Sequence, residues 1–387
     1  MKVGIVTFID YSNYGNRLQN YALQEYLRMH GFETETILNE KYEDYKYTEE
    51  YSKKILIHWI KSIIKYCYGL IMPRQKSFIC NIFDDNLKKQ RKTKNINFTN
   101  KYIKETKYVV REGFPHKRQL NQYDYLIAGS DQIWNPCMGA ATDFFFLQNV
   151  PKEKRISFSA SVGLVEIPKK RKEQWIKYIN DMKYISVRER AAQKLINELT
   201  NKKATVLLDP TMIIERRVWD KLINSKSFAY ANKRYIVTYI LGKISNSEEE
   251  ELQEIGRMLN AKIIRLNDRR YPKEFTADVI DFLQLITNAR LVITDSFHAC
   301  VFSILYYKQF YVLQRQGPYN NIYSRIEELL ANFHLENHAV MSIHEVYMSM
   351  LNLNERKVEC ITDKEINEIN HILEKERRNA DMYINIL

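Results

Sequence analysis

Short apolar runs alternate with helix-length amphipathic segments along almost the whole chain, and no other feature constrains the fold as strongly. The runs read as strands are Lys2–Phe8, Glu33–Leu38, Tyr125–Ala128, Ile156–Ser159 and Tyr184–Val187. They continue with Val206–Leu208, Tyr235–Leu241, Lys262–Leu266, Leu291–Thr294 and Gln309–Leu313. Most are too uniformly apolar to have a wet face, so they belong in parallel sheets covered on both sides. Between them the spacing predicts helices over Arg17–His30, Lys169–Asn180, Ala191–Leu199, Ser247–Leu259, Ala277–Thr287 and Ala299–Lys308. Ten strands are more than one sheet holds comfortably, and 387 residues are enough for two domains. The expected fold is therefore α/β, with two Rossmann-like, doubly wound domains in tandem.

The first domain is expected over 1–203 and the second over 204–362, the boundary falling near Asn201–Ala204 or just after the Leu207-Leu208-Asp209-Pro210 corner. Proline restricts the residue before it to extended backbone, which suits a strand running out into a turn. In Asp363–Leu387, Ile366, Ile369, Ile372 and Leu373 keep helical spacing, so 363–387 should form a late helix packed back on the body. A basic insertion over about 51–122 interrupts the pattern. From Tyr51 to Cys80 there are six Lys or Arg and no acid, with Ile55, Trp59, Ile63 and Tyr66 on one helical face. Such a helix either lies on an anionic membrane surface or buries its apolar side in the fold.

The net charge of +12 favours an anionic partner: nucleic acid, lipid headgroups or a phosphorylated small molecule. Five cysteines (Cys67, Cys80, Cys137, Cys300, Cys360) are scattered without the spacing of a zinc site or a redox pair, which suits a reducing compartment. His334 and His338 are four apart, but leucine and not glutamate stands directly after the first, no third ligand is evident, and no metal is expected. The amino-terminal run breaks at Asp10 and reads as a buried strand, not a signal peptide. A cytoplasmic protein, peripheral at the inner face of the membrane, is expected.

Ligands of doubly wound sheets bind beyond the carboxyl ends of the strands, which ranks five loops. The first offers Asn13, Tyr14, Asn16 and Gln19 around a single Gly15; helix capping accounts for Asn13, Gly15 and Asn16 as well as ligand binding does. The second sets Ser130, Asp131, Gln132 and Asn135 around Trp134, which suits sugar stacking if the indole is exposed. The third, Ser157–Gly163, is a wall of small residues. In the fourth, a strand ends at Arg188, whose guanidinium would clamp phosphate or carboxylate, or else pair with Glu189. The fifth carries most: an apolar strand ends in Thr294, Asp295 and Ser296, and His298 falls in the first turn of an apolar helix. Ser296 is the expected cap, and backbone N–H groups there face a bound anion.

Taken in order, Asn13-Tyr14-Gly15 with Leu18-Gln19, Gly129 to Asn135, Ser157 to Gly163, Ser186 to Glu189, Leu208 to Thr211 and Thr294 to His298 make the chain resemble the polysaccharide pyruvyl transferase family. The resemblance covers most of the chain and misses the basic insertion. It implies two Rossmann-like lobes facing a cleft, as in GT-B glycosyltransferases. It also implies transfer of a pyruvyl group from phosphoenolpyruvate, a co-substrate and not a cofactor, onto two hydroxyls of a cell-surface glycan or its lipid-linked precursor. Phosphate is released, and no nucleic acid takes part. Arg188 and His298 match the family's donor-site residues, with Asp295 and Ser296 beside them; the family often has glycine where this chain has Ala299. Asn13, Tyr14, Asn16, Gln19, Ser130, Gln132 and Trp134 would face the acceptor. The acid for the donor's methylene carbon is His298, Asp131 or Asp295. Two alternatives are a GT-B glycosyltransferase using a nucleotide sugar and a non-catalytic, membrane-associated scaffold in glycan assembly.

Overall fold

Strands buried at nearly every residue must lie between two layers of helices, and the chain places them there. The computed structural model describes residues 1–39, 75–111, 117–138, 141–314, 323–352 and 361–387. Nearly all of the basic segment Tyr51–Cys80 lies outside the described residues.

The first lobe holds β1 (Lys2–Val6), α1 (Tyr14–Met29), β2 (Glu33–Asn39), α2 (Gln75–Tyr102), β3 (Glu105–Val110), β4 (Tyr125–Ala128) and β5 (Arg155–Ser157). Its sheet is parallel, in the order β3-β2-β1-β4-β5. Next come α3 (Lys169–Asn180), β6 (Ser186–Val187), α4 (Arg190–Leu199) and β7 (Thr205–Val206). The parallel pair β6–β7 extends the β5 edge through the Ser157 N–H, which donates to the Tyr184 carbonyl at 3.1 Å. Because β7 pairs with β6, the chain leaves this lobe at the Asp209-Pro210 corner and not at residue 203.

The short helix α5 (Pro210–Ile213) and α6 (Arg216–Ile223) lead into the second lobe. There follow β8 (Tyr235–Tyr239), α7 (Asn246–Met258), β9 (Lys262–Arg265), α8 (Val279–Asn288), β10 (Leu291–Thr294) and α9 (Phe297–Leu305). Then come β11 (Phe310–Leu313), α10 (Ser324–Asn332), β12 (Ala339–Val340) and α11 (Ile343–Asn352). This sheet is also parallel, in the order β12-β11-β10-β8-β9. Each sheet reverses direction once, between β1 and β4 and between β8 and β10, and the loops beyond those pairs are where doubly wound sheets take ligands. The expected α/β fold of two doubly wound lobes is present.

One hydrophobic core crosses from lobe to lobe. Tyr21 packs on Trp219 with ring centroids 5.6 Å apart, and Trp219 meets Phe302 edge-on at 5.0 Å. Tyr14 stacks on Phe282 at 4.8 Å and donates its hydroxyl to the Ala277 carbonyl at 2.8 Å. Each aromatic pair contributes about 0.5–1.5 kcal/mol beyond its buried area. The last helix, α12 (Asp363–Ile384), opens with a Thr362–Glu365 capping box and returns to the first lobe. There the Tyr383 hydroxyl donates to the Ser157 carbonyl at 2.8 Å, and Asp381 accepts from the Tyr26 hydroxyl at 2.9 Å. No described helix is long and apolar enough to cross a membrane.

Candidate functional site

Loops from both lobes meet at one carboxylate. Asp209 caps α5, its Oδ1 accepting the Thr211 N–H at 3.0 Å and the Thr211 hydroxyl at 2.7 Å. Its Oδ2 accepts the Ser130 hydroxyl and Arg188 Nη1, each at 2.8 Å. His298 Nε2 lies 3.9 Å from the same oxygen. Ser130 follows β4, Arg188 follows β6, and His298 sits in the first turn of α9 after β10, so the carboxyl ends of three strands supply the partners.

Burial governs the charges. Desolvation pushes the Asp209 carboxyl up, but His298, Arg188 and the Thr211 hydrogen bonds outweigh it and hold the group at about 2. Burial also works against the Arg188 charge, yet Asp209 and Glu189 raise its pKa overall. His298 goes the other way: burial depresses it below 6.5, and Asp209 opposes this only in part. The ligand-free site thus holds an ion pair beside an imidazole whose charged form burial disfavours.

Arg188 lies over the Phe297 ring, 4.6 Å from its centroid. Its Nε and Nη2, His298 Nε2 and Glu189 Oε2 are buried without a hydrogen-bond partner among the described residues. Such orphans are costly, about 1–3 kcal/mol each, and in a native fold they call for an explanation. The other oxygen of Glu189 orders the small-residue loop, accepting from the Ser161 hydroxyl at 2.9 Å, Val162 N–H at 2.7 Å and Gly163 N–H at 2.9 Å. The cavity beside Arg188 measures only about 20 Å³, with Arg325 and Glu328 of α10 on its wall. Glu328 also accepts the Arg190 N–H at 2.6 Å, fastening α10 over the opening.

Gly15 has a steric role. A Cβ there would stand 2.0 Å from His298 Nδ1, so only glycine lets the imidazole rest on the first turn of α1. The neighbouring Asn13 accepts the Asn16 N–H at 3.2 Å as the cap of α1. Asn16 is buried; its amide donates to Asp131 Oδ2 at 3.1 Å and to the Phe8 carbonyl at 3.0 Å. Asp131 holds a left-handed backbone, φ 87°, is half-buried, and its charge favours the charged forms of Arg188 and His298.

Several expected acceptor residues face inward instead. Trp134 is wholly buried, stacked on Phe146 at 5.1 Å and donating to the Phe145 carbonyl, so it is not a stacking platform for sugar. Tyr14 and Gln19 are also buried, Tyr14 bridging the lobes and Gln19 donating to the Thr7 hydroxyl at 3.1 Å. Gln132 is buried against Gly163 and accepts from Asn135 at 2.8 Å, and Ser130 faces Asp209. Ser296 occupies the cap position of α9 but makes no side-chain cap bond. Asp295 accepts the Leu241 and Gly242 N–H groups at 2.7 and 2.8 Å, tying the loop after β8 to the loop of His298. Asp209 is absent from the residues expected at the site, because its Leu-Asp-Pro-Thr setting reads locally as a strand running out into a turn. Among the described residues no group of three His, Cys, Asp or Glu is placed to hold a metal ion.

A family model described as polysaccharide pyruvyl transferase matches residues 13–317. No curated protein matches the chain. Among solved structures it is similar to a UDP-GlcNAc 2-epimerase from Neisseria meningitidis bound to UDP-GlcNAc, at TM-score 0.49 and 10% identity over 100% of both chains. A UDP-GlcNAc 2-epimerase from Methanocaldococcus jannaschii gives TM-score 0.46 and 12% identity over 97% of this chain and 100% of that one. The glycotransferase of kitacinnamycin gives TM-score 0.42 and 10% identity over 100% and 99%. These likenesses concern the fold alone.

Proposed function

The chain belongs to the polysaccharide pyruvyl transferase family, and from that premise we propose that it moves the pyruvyl group of phosphoenolpyruvate onto two hydroxyls of a glycan acceptor. One observation carries the donor assignment: Arg188 is almost fully buried, bonded by Asp209 on one nitrogen with Glu189 Oε2 3.9 Å from Nε, and its Nε and Nη2 have no hydrogen-bond partner among the described residues. A desolvated guanidinium with spare donors suits a phosphate or a carboxylate, and phosphoenolpyruvate has both. A proton is added to the donor's methylene carbon and positive character builds at C2. A sugar hydroxyl then bonds to C2, the C2–O bond to phosphorus-bearing oxygen breaks, and phosphate leaves with the electron pair. A second hydroxyl closes the ketal. Of the two hydroxyl protons, one balances the new methyl group and the other leaves with phosphate.

His298 is the acid in this reading. A bound phosphate restores the proton that burial removes, so donor binding itself arms the acid. Asp131, whose charge acts on both Arg188 and His298, takes the acceptor's proton in this reading. Asp209 touches no substrate; it is a positioning residue that fixes Arg188 and stabilises the charged imidazole. The cavity of about 20 Å³ has room for a water and not for the donor. Donor entry therefore requires α10 or the lobes to part.

The test is donor binding and phosphate release measured together. Arg188→Gln should weaken phosphoenolpyruvate binding at least 100-fold. His298→Ala should bind the donor within a few-fold of wild type and release phosphate at least 100-fold more slowly. Unchanged donor affinity in Arg188→Gln would remove the proposed donor site.

A further inference from the structure

With Trp134 and Tyr14 buried, the acceptor needs another surface. A second cavity, of about 490 Å³, opens at the carboxyl ends of β8 and β9 and is closed on one side by Asp84 of α2, so both lobes wall it. Its polar lining is a set of matched ion pairs. Arg265 pairs with Glu249, and Arg269 with Asp84. Arg270 grips Asp268 through Nε at 2.8 Å and Nη2 at 2.6 Å, and reaches Glu249 at 3.2 Å. Ile240, Ile244 and Leu252 supply an apolar wall.

The places where such a lobe would hold a phosphate are already filled by its own carboxylates. The start of α7 is closed by the Ser245–Glu248 capping box, with Glu249 in the first turn. The Leu241 and Gly242 N–H groups beyond β8 donate to Asp295. An incoming pyrophosphate would find its backbone donors taken and every lining guanidinium already paired with a carboxylate. A polyol fits this chemistry better. Each hydroxyl donates to one group and accepts from another, so vicinal hydroxyls can join a guanidinium–carboxylate pair without disturbing its charge, and the C–H face of a pyranose covers the apolar wall.

We propose that this cavity is a subsite for a neutral sugar unit of the acceptor glycan. The inference rests on the transferase reading for what the glycan is used for, and it adds where and in what chemical form the glycan is held. Asp295 makes the connection: it fixes the loop lining the cavity and stands three residues before His298 in the chain.

The experiment titrates the full chain with methyl glycosides of common hexoses and N-acetylhexosamines, with UDP, and with phosphoenolpyruvate, by calorimetry and saturation-transfer NMR. Asp268→Asn and Arg270→Gln serve as variants, since both side chains reach solvent, and circular dichroism checks that each variant is folded. At least one methyl glycoside should bind wild type saturably. Each variant should weaken that binding tenfold or more while phosphoenolpyruvate affinity stays constant, and UDP should not compete. The subsite is overturned if no glycoside binds, if the variants leave glycoside affinity unchanged, or if UDP binds and displaces the glycoside. Phosphoenolpyruvate binding without glycoside binding sinks the subsite and spares the transferase reading. Glycoside binding that the variants weaken, with no phosphoenolpyruvate binding, supports the subsite and sinks the transferase reading.

Discussion

Gly15 and His298 belong to different lobes, and the missing side chain of one makes room for the ring of the other. Adding a methyl group at position 15 must push the imidazole away, and a displacement of about 1 Å in a reacting group costs on the order of 100-fold in rate. Gly15→Ala should therefore lose about that much kcat/KM with little change in its circular dichroism spectrum; wild-type turnover would show that the ring needs no such seat. The charge of His298 gives a second prediction. Its pKa in the free protein lies below 6.5, so the acid form is lost as pH rises through that depressed value. The kcat/KM for phosphoenolpyruvate should fall above a break below pH 6.5, whereas kcat, which reports the donor-bound site, should break at higher pH. Coincident breaks would mean that the donor's phosphate does not meet the imidazole. Arg188 and His298 were legible because each stands at the end of an apolar strand. Asp209 was not: capping α5 and anchoring Arg188 use the same carboxylate, and only the first role leaves a local signature. Trp134 misled because a tryptophan among polar residues looks alike whether its indole faces water or the Phe145 carbonyl.

Strands with an unbroken apolar run were readable almost to the residue, as Tyr125–Ala128 and Leu291–Thr294 show. Two strands escaped notice: β3 is an edge strand carrying Glu105 and Lys107, and β12 is only two residues long. The larger omission is α2, a helix of 28 residues rich in Lys and Arg. Leu87 and Phe98 are its buried apolar anchors, and polar heads do the rest: Arg91 is buried, with Nε donating to the Phe275 carbonyl and Nη2 to the Leu266 carbonyl, each at 2.6 Å, and its guanidinium carbon lies 4.0 Å from the centroid of the Phe275 ring. Two apolar anchors eleven residues apart leave only a faint hydropathy pattern. Arg91→Met should orphan both carbonyls and lower stability by about 2–4 kcal/mol in urea unfolding; a change under about 0.5 kcal/mol would mean the contact is dispensable. The basic segment before α2 carries its own expectation. Each Lys or Arg near an anionic leaflet contributes about 1 kcal/mol. Binding to anionic vesicles should thus fall steeply with salt and vanish when Lys53, Lys54, Lys61 and Lys65 are reversed in charge; equal binding to neutral vesicles would refute the membrane role.

On the scale of the molecule, two lobes share a core, and α12 ties the chain's last residues to the first lobe. The tandem architecture followed from counting strands, but the continuity did not, because Tyr14, Tyr21 and Trp219 meet partners from the other lobe that no local pattern names. Such a molecule brings a first-lobe arginine, a corner aspartate and a second-lobe histidine to one buried point, and transfer of a pyruvyl group is the chemistry proposed for it. The direct test follows the carbon. Phosphoenolpyruvate isotopically labelled at C2 is incubated with the enzyme and the methyl glycosides or glycan that bind it, and the product is examined by carbon NMR. The account predicts that the label becomes a quaternary, acid-labile ketal carbon bearing a methyl and a carboxylate, bonded through two sugar oxygens, with one phosphate released per ketal and both formed at least 100-fold more slowly by His298→Ala. Label that remains in the donor, while the same acceptor is extended by a sugar from a nucleotide donor, would contradict it.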